Sequence, residues 1–166
     1  MKILITGGKS ATTLKLLKAF EGNEIVLADY GEIPAFTSAN YKFITLGEVN
    51  DAIAHNILNI CLDYGIDMIL PVHEFEINPI AKSKVLFQEF NIQVLLPEVT
   101  HVLKYFYPQQ DITLGLKWYC FVEGELTFPA AASAHVLEIG KEKQLHGVYY
   151  IPEDLEGLTA ILFTIP

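Results

Sequence analysis

Residue types and spacings that could do chemistry occur at a few places in the chain. Gly8-Lys9-Ser10 ends like a phosphate-binding loop, in which backbone amides and a lysine cradle a polyphosphate. The full pattern G-x-x-x-x-G-K-[ST] needs glycine at position 3, where Ile3 stands, so the cradle cannot form. Gly7-Gly8 followed by Asp29, at about the ~20-residue distance of a ribose-binding acid, approaches a dinucleotide turn. Ala11 and Thr13 occupy the later glycine positions, which favours a sharp strand-to-helix turn with Asp29 as an ordinary strand-end acid. His73-Glu74 begins a zinc-type H-E-x-x-H, but Ile77 stands where the second histidine belongs. The histidines at 55, 73, 101, 135 and 146 show no ligand spacing, so no metal is expected. Cys61, on the apolar stripe of a helix, and Cys120, among Trp118, Tyr119 and Phe121, are read as free, buried thiols.

The elements that must position these groups alternate between strand and helix. Residues 2–6 form a short apolar strand closed by Gly7-Gly8, and Ser10 caps a helix with Leu14 and Leu17 on its apolar side that Gly22-Asn23 stops. Residues 24–29 are a second strand, 30–40 a loop, and 41–45 a weaker strand. A helix from Asn50 or Asp51 sets Ile53, Ile57, Ile60, Cys61 and Tyr64 on one stripe and ends at Gly65. Residues 67–71 are a buried strand, 76–90 a helix and 92–96 a strand. This alternation predicts a mostly parallel sheet covered on both faces. After Pro97 the pattern changes: 99–107 reads as helix, 118–122 and 126–128 as a hairpin about Glu123-Gly124-Glu125, and 136–139 and 147–151 as strands. Pro152 starts a last helix toward Leu162.

Composition narrows the partners. A chain of 166 residues, 51% apolar, suits one domain or one with a small appendage. No apolar stretch approaches the ~20 residues of a membrane span, and the start reads as a strand rather than a signal peptide, so a cytoplasmic location is expected. All eleven basic residues are lysine, and the net charge is −9. Without arginine's bidentate fork, and with an acidic balance, nucleic acid and anionic membranes are excluded as partners. The uncharged tail 158–166 needs covering by its own core, a second copy or a partner chain.

The segments KILITGG (2–8), EIVLADY (24–30), FTSANYKF (36–43), YGIDMILPVHEFEINPIAK (64–82) and NIQVLLP (91–97) together resemble the N-terminal Rossmann-like domain of ATP-grasp enzymes. Carbamoyl phosphate synthase large subunits, biotin carboxylases and other carboxylate-amine ligases carry that domain ahead of their catalytic part. The resemblance implies an α/β fold: a Rossmann-like, pre-ATP-grasp open parallel sheet over residues 1–97 and a small, degenerate α+β piece over 98–166. Pro71-Val72-His73-Glu74 stands where the family has a proline, a threonine or similar residue, and an acid. In the second half, 128–134 takes the place of the strand F-P-v-v-v-K-P whose lysine contacts ATP phosphates, with Ser133 and Ala134 replacing Lys-Pro. Leu103-Lys104 replaces an Asp-Lys pair, loop 140–146 bears lysines but is not glycine-rich, and 147–151 and 152–155 match the next strand and helix start. The chain offers no large second subdomain for adenine contacts and magnesium carboxylates. By this resemblance it is not a complete ligase, and ATP and Mg are expected only with a partner chain.

Ligands of open α/β sheets collect beyond the carboxyl ends of the strands. Gly7, Gly8, Lys9 and Ser10 after the first strand and His73 and Glu74 after the fourth are therefore the candidate substrate-binding residues, suited to a small amino or carboxylic acid; no catalytic residue is assigned. The leading expectation is a non-catalytic or accessory ATP-grasp-related protein that binds a small anionic metabolite or a partner protein. Its rivals are a substrate-side fragment of a split ATP-dependent carboxylate-amine ligase and a small NAD(P)-binding reductase.

Overall fold

A computed structural model describes residues 1–35, 38–107, 115–152 and 160–166. Five parallel strands, β1 (Lys2–Ile5), β2 (Glu24–Asp29), β3 (Tyr41–Thr45), β4 (Met68–Leu70) and β5 (Gln93–Val94), stand in the order β3-β2-β1-β4-β5. β1 lies in the middle, which is why its residues read as an unbroken apolar run rather than an alternating one. Leu4, Val26, Ile69 and Val94 feed a core on one face, and Ile3, Ile5, Leu27 and Leu70 a core on the other. This is the expected α/β, Rossmann-like open parallel sheet.

The helices follow their sequence signals with instructive departures. Ser10 caps α1 (Ala11–Leu14), its hydroxyl accepting from Thr12 N–H at 3.2 Å, but after one turn the chain tightens into a 3₁₀ segment, Lys15–Phe20. The tightening turns Leu16 and Phe20 inward and leaves Leu14 exposed, so the apolar side is not the one read from a regular helix. Helix α2 (Ile53–Tyr64) buries Ile57, Leu58 and Cys61 and ends on Gly65, whose φ of 62° lets its N–H bond back to the last turn. The single helix expected over 76–90 is two, α3 (Glu74–Lys82) and α4 (Lys84–Glu89), broken at Ser83. The break turns Lys84 inward, where its ammonium donates to Leu96 O at 2.9 Å and pairs with Glu98 at 2.7 Å.

Beyond residue 97 the expectations needed more correction. Helix 99–107 is reduced to α5 (Val102–Tyr105). The hairpin is present as β6 (Trp118–Val122) and β7 (Glu125–Phe128). Residues 136–139 are not a strand: they lie in α6 (Ala134–Lys143), capped by Ser133, whose hydroxyl accepts from Val136 N–H at 3.3 Å. Val136, Ile139 and Gly140 bury one face at spacings of three and four, a helical period that their β-branched side chains obscured. Residues 128–134 are likewise no phosphate-contacting strand, since Phe128 ends β7 and Ala134 begins a helix. The last helix expected from Pro152 toward Leu162 falls mostly outside the described residues, and its far end is a strand, β9 (Ile161–Leu162), antiparallel to β8 (Gly147–Tyr150).

In the second sheet, β7-β6-β8-β9, the strands β6, β8 and β9 are largely buried, while β7 is a partly exposed edge. Tyr119, Phe121 and Tyr149 join the core on one face of the parallel sheet, while Cys120, Val148 and Phe163 join the other. The apolar tail is therefore covered by its own fold: Ala160, Ile161, Leu162, Phe163 and Ile165 are all buried. No helix among the described residues is long and apolar enough to cross a membrane.

Candidate functional site

After β3 the chain passes across β1 to lay β4 on its other side, so the loops leaving β1 and β4 diverge and open a crevice at their carboxyl ends. The structure links four of the six expected residues: Gly7 and the Glu74 amide meet at Ile165, and the Lys9 amide and His73 meet at Asp29, while Gly8 faces Leu27 and Phe43 and Ser10 sits at the helix start. Two of them are engaged by the fold itself. Ser10 is a helix cap. The Lys9 ammonium donates to Tyr30 O at 2.6 Å and Glu32 O at 3.4 Å rather than pointing at open space.

Asp29 ties the two walls together. One of its oxygens accepts from Lys9 N–H at 2.9 Å; the other accepts from Tyr30 N–H at 2.8 Å and lies 3.0 Å from His73 Nε2. Burial alone would raise this carboxyl, but the Lys9 amide, His73 and the Tyr30 amide outweigh it and hold it below the usual carboxylate range. Beneath it lies Glu76, fully buried, accepting from Thr6 Oγ1 at 2.5 Å, Tyr30 OH at 2.8 Å and His73 N–H at 3.3 Å. Thr6 Oγ1 in turn accepts from Val72 N–H at 2.8 Å. Desolvation raises the Glu76 carboxyl in spite of the bonds from Thr6, His73 and Tyr30. The Tyr30 hydroxyl is pushed upward by burial and by the negative charges of Glu76 and Asp29. Phe75 packs over the group, its ring stacked on His73 at 4.9 Å and tilted against Tyr30 at 5.2 Å.

The mouth of the crevice is closed by the chain itself. Ile165 N–H donates to Val72 O at 2.8 Å and Glu74 N–H donates to Ile165 O at 2.9 Å, a one-residue parallel bridge beside His73. Pro166 O lies 3.3 Å from His73 Nδ1. Gly7 has φ +68°, and a Cβ there would sit 2.7 Å from the Ile165 Cδ1. A Cβ on Gly8 would meet Leu27 and Phe43, each at 3.0 Å. The space that both glycines leave is filled by protein. Next to it Thr13 Oγ1 is buried without a hydrogen-bond partner among the described residues.

Sequence reasoning passed over Thr6, Tyr30 and Glu76, and took Asp29 as an ordinary strand-end acid. The signal for Glu76 was there: His73-x-x-Glu76 has capping-box spacing at a helix start. Thr6 and Asp29 are polar residues closing apolar strands, at the end of the sheet where ligands gather. Both cysteines are buried and free, with Cys61 pushed up to about 12 and Cys120 to about 11 by burial, which leaves them unreactive thiols. No group of three or more His, Cys, Asp or Glu side chains among the described residues is placed to hold a metal ion.

Comparison with known proteins bears on this frame. Residues 3–95, more than half of the chain, match the family of the PylC-like, N-terminal domain. The chain belongs to that family. Its parallel sheet is thus the N-terminal, Rossmann-like pre-ATP-grasp domain of the ATP-grasp enzyme group, and the crevice described above lies wholly within the matched region apart from Ile165 and Pro166. The structure of glycinamide-RNase-transformylase T from Mycobacterium tuberculosis is similar over 62% of this chain, at 12% identity and a TM-score of 0.42. The chain spans 30% of that protein's length. No curated protein sequence matches it.

Proposed function

We propose that this chain is an accessory, non-catalytic member of the ATP-grasp group that binds a small anionic metabolite and does not transfer phosphate by itself. The observation that carries this reading is the state of the crevice, whose polar groups are engaged with one another while Ile165 occupies its mouth. Phosphoryl transfer depends on cations and dipoles aimed at the transferring group. Lys9, the one lysine among the six candidate residues, is turned onto two backbone carbonyls. Gly7, Gly8, Lys9, Ser10, His73 and Glu74 remain the proposed substrate-side wall, and a ligand reaching it has to displace Ile165 and would meet the orphaned Thr13 hydroxyl. The Asp29 oxygens already hold two amides and His73, which disfavours the nicotinamide reading, since a ribose would have to compete for them.

The test is ADP release by the purified chain with Mg-ATP and a panel of amino and carboxylic acids. No release above the protein-free rate is expected; release that Lys9→Ala abolishes would overturn the reading. A second reading, a substrate-side fragment of a split carboxylate-amine ligase, is favoured by the family match to a domain that is by description N-terminal. It predicts ADP release only when a second polypeptide supplying the ATP and Mg site is added. A partner protein docking without turnover is the remaining form of the accessory role.

A further inference from the structure

A cleft of about 840 Å³ runs between the 3₁₀ segment Lys15–Phe20 and the second sheet. Lys15, Lys18 and Lys117 line it, and its described lining residues include no aspartate or glutamate. In a chain with 20 acidic residues and 11 lysines, a cleft whose described lining collects three lysines and no acid departs from what the composition supplies. None of the three is in an ion pair among the described residues, unlike Lys2, Lys84 and Lys143. Ser133, the cap of the ten-residue helix α6, also lines the cleft, and the first turn of that helix holds no acid to offset its positive end. The lining also holds an aromatic pair: Trp118 stacks on Phe128 at 4.6 Å between centroids and 20° between planes.

Like charges gathered without counter-charges repel in the free protein, and an anion relieves them. We infer that this cleft is a binding site for a small polyanion carrying two or more oxyanionic groups, a polycarboxylate or a phosphate ester. It rests on the metabolite-binding reading above and places the ligand's charge at lysines outside the six crevice residues. Lysine ammoniums are compact, rotatable donors without a fixed fork, so carboxylate and phosphate are both accommodated, and the experiment separates them. More than one anionic group is implied because three separate lysines line one cleft.

The cleft contains the only tryptophan in the sequence, Trp118, so its emission reports on this site. Citrate and inorganic pyrophosphate are titrated separately into the full chain at low ionic strength, with sodium chloride of matched ionic strength as reference. The expected result is a saturable change in Trp118 emission for at least one of the two, weakened by added salt. The variant Lys15→Gln/Lys18→Gln/Lys117→Gln should lose affinity by about tenfold or more, as expected when three exposed charge contacts are removed together. Lys82→Gln/Lys104→Gln/Lys141→Gln, the same charge change away from the cleft, should bind like the parent. Saturation by one probe alone names the oxyanion class. No saturable change with either probe, a change reproduced by sodium chloride, or equal losses in the two triple variants would overturn the site. These outcomes are independent of ADP release, so a failure here is distinguishable from a failure of the non-catalytic reading.

Discussion

Asp29 and Glu76 belong to one hydrogen-bond network, linked through His73 and Tyr30, whose bonds lower both carboxyls; burial opposes them at each and wins only at Glu76. Asp29 lies near the mouth, where two backbone amides and His73 more than offset its desolvation. Glu76 lies beneath, fully buried, and three donors do not offset its loss of water. The consequences for stability have opposite signs. Asp29, lowered, adds stability above its ordinary value of 3.8 that is lost as pH falls through the depressed folded value. Glu76, raised, favours the folded state most below its ordinary value of 4.5, and that contribution is lost as pH rises through the elevated folded value. Glu76→Gln keeps the shape and removes the titration; its amide can still accept from Thr6 and donate to the Tyr30 oxygen. Urea unfolding of parent and E76Q from pH 4.5 to 8 should therefore show the variant gaining on the parent as pH rises. A stability difference that stays flat across that range would show that burial does not raise this carboxyl.

At the scale of elements, the outcome divides near residue 97, and the reason lies in what each strand sees. β1, β2 and β4 are buried on both faces of a parallel sheet, so they appear as short apolar runs bounded by Gly7, Asp29 and Pro71, which local pattern reading recognises. α6 defeats the same reading, because Val136 and Ile139 are β-branched and the helix is sandwiched between polar positions with only a narrow buried stripe. The crevice was legible only as far as the residues adjoining strand ends and the His73-x-x-Glu76 spacing; Ile165 enters through tertiary contacts that no local spacing announces. Gly140 gives the helix a sharp test. On propensity alone Gly140→Ala should strengthen a helix by up to about 1 kcal/mol. In this packing its Cβ would collide with the Phe121 ring, so G140A should instead destabilise by about 1–3 kcal/mol. Ser133→Ala should cost about 0.5–2 kcal/mol through loss of the cap. Thermal unfolding measures both, and a stabilising G140A would mean that α6 does not pack against β6 through this face.

For the molecule as a whole, the second sheet is not an appendage in energetic terms. Residues of β6 alternate between the two cores that sandwich the parallel sheet, and the segment 160–166 closes both the second sheet, through β9, and the crevice, through Ile165. Phe163 is the hinge of this arrangement: it is buried, its N–H bonds to Val148 O at 2.9 Å, and its ring stacks on Tyr150 at 5.1 Å while packing in the core that holds Ile3 and Ile5. If the cores unfold together, Phe163→Ala should lower global stability by about 3–5 kcal/mol. Amide exchange would then accelerate by the same factor in the slowest-exchanging residues of β1 and β6, because both are protected by one cooperative transition. If the second sheet instead opens alone, F163A would accelerate exchange in β6 and β8 and leave β1 protected. The shared packing of Cys120, Val148 and Phe163 with Ile3, Ile5 and Leu27 in one core argues for the first outcome, because opening the second sheet alone would strip those contacts from β1 and β2.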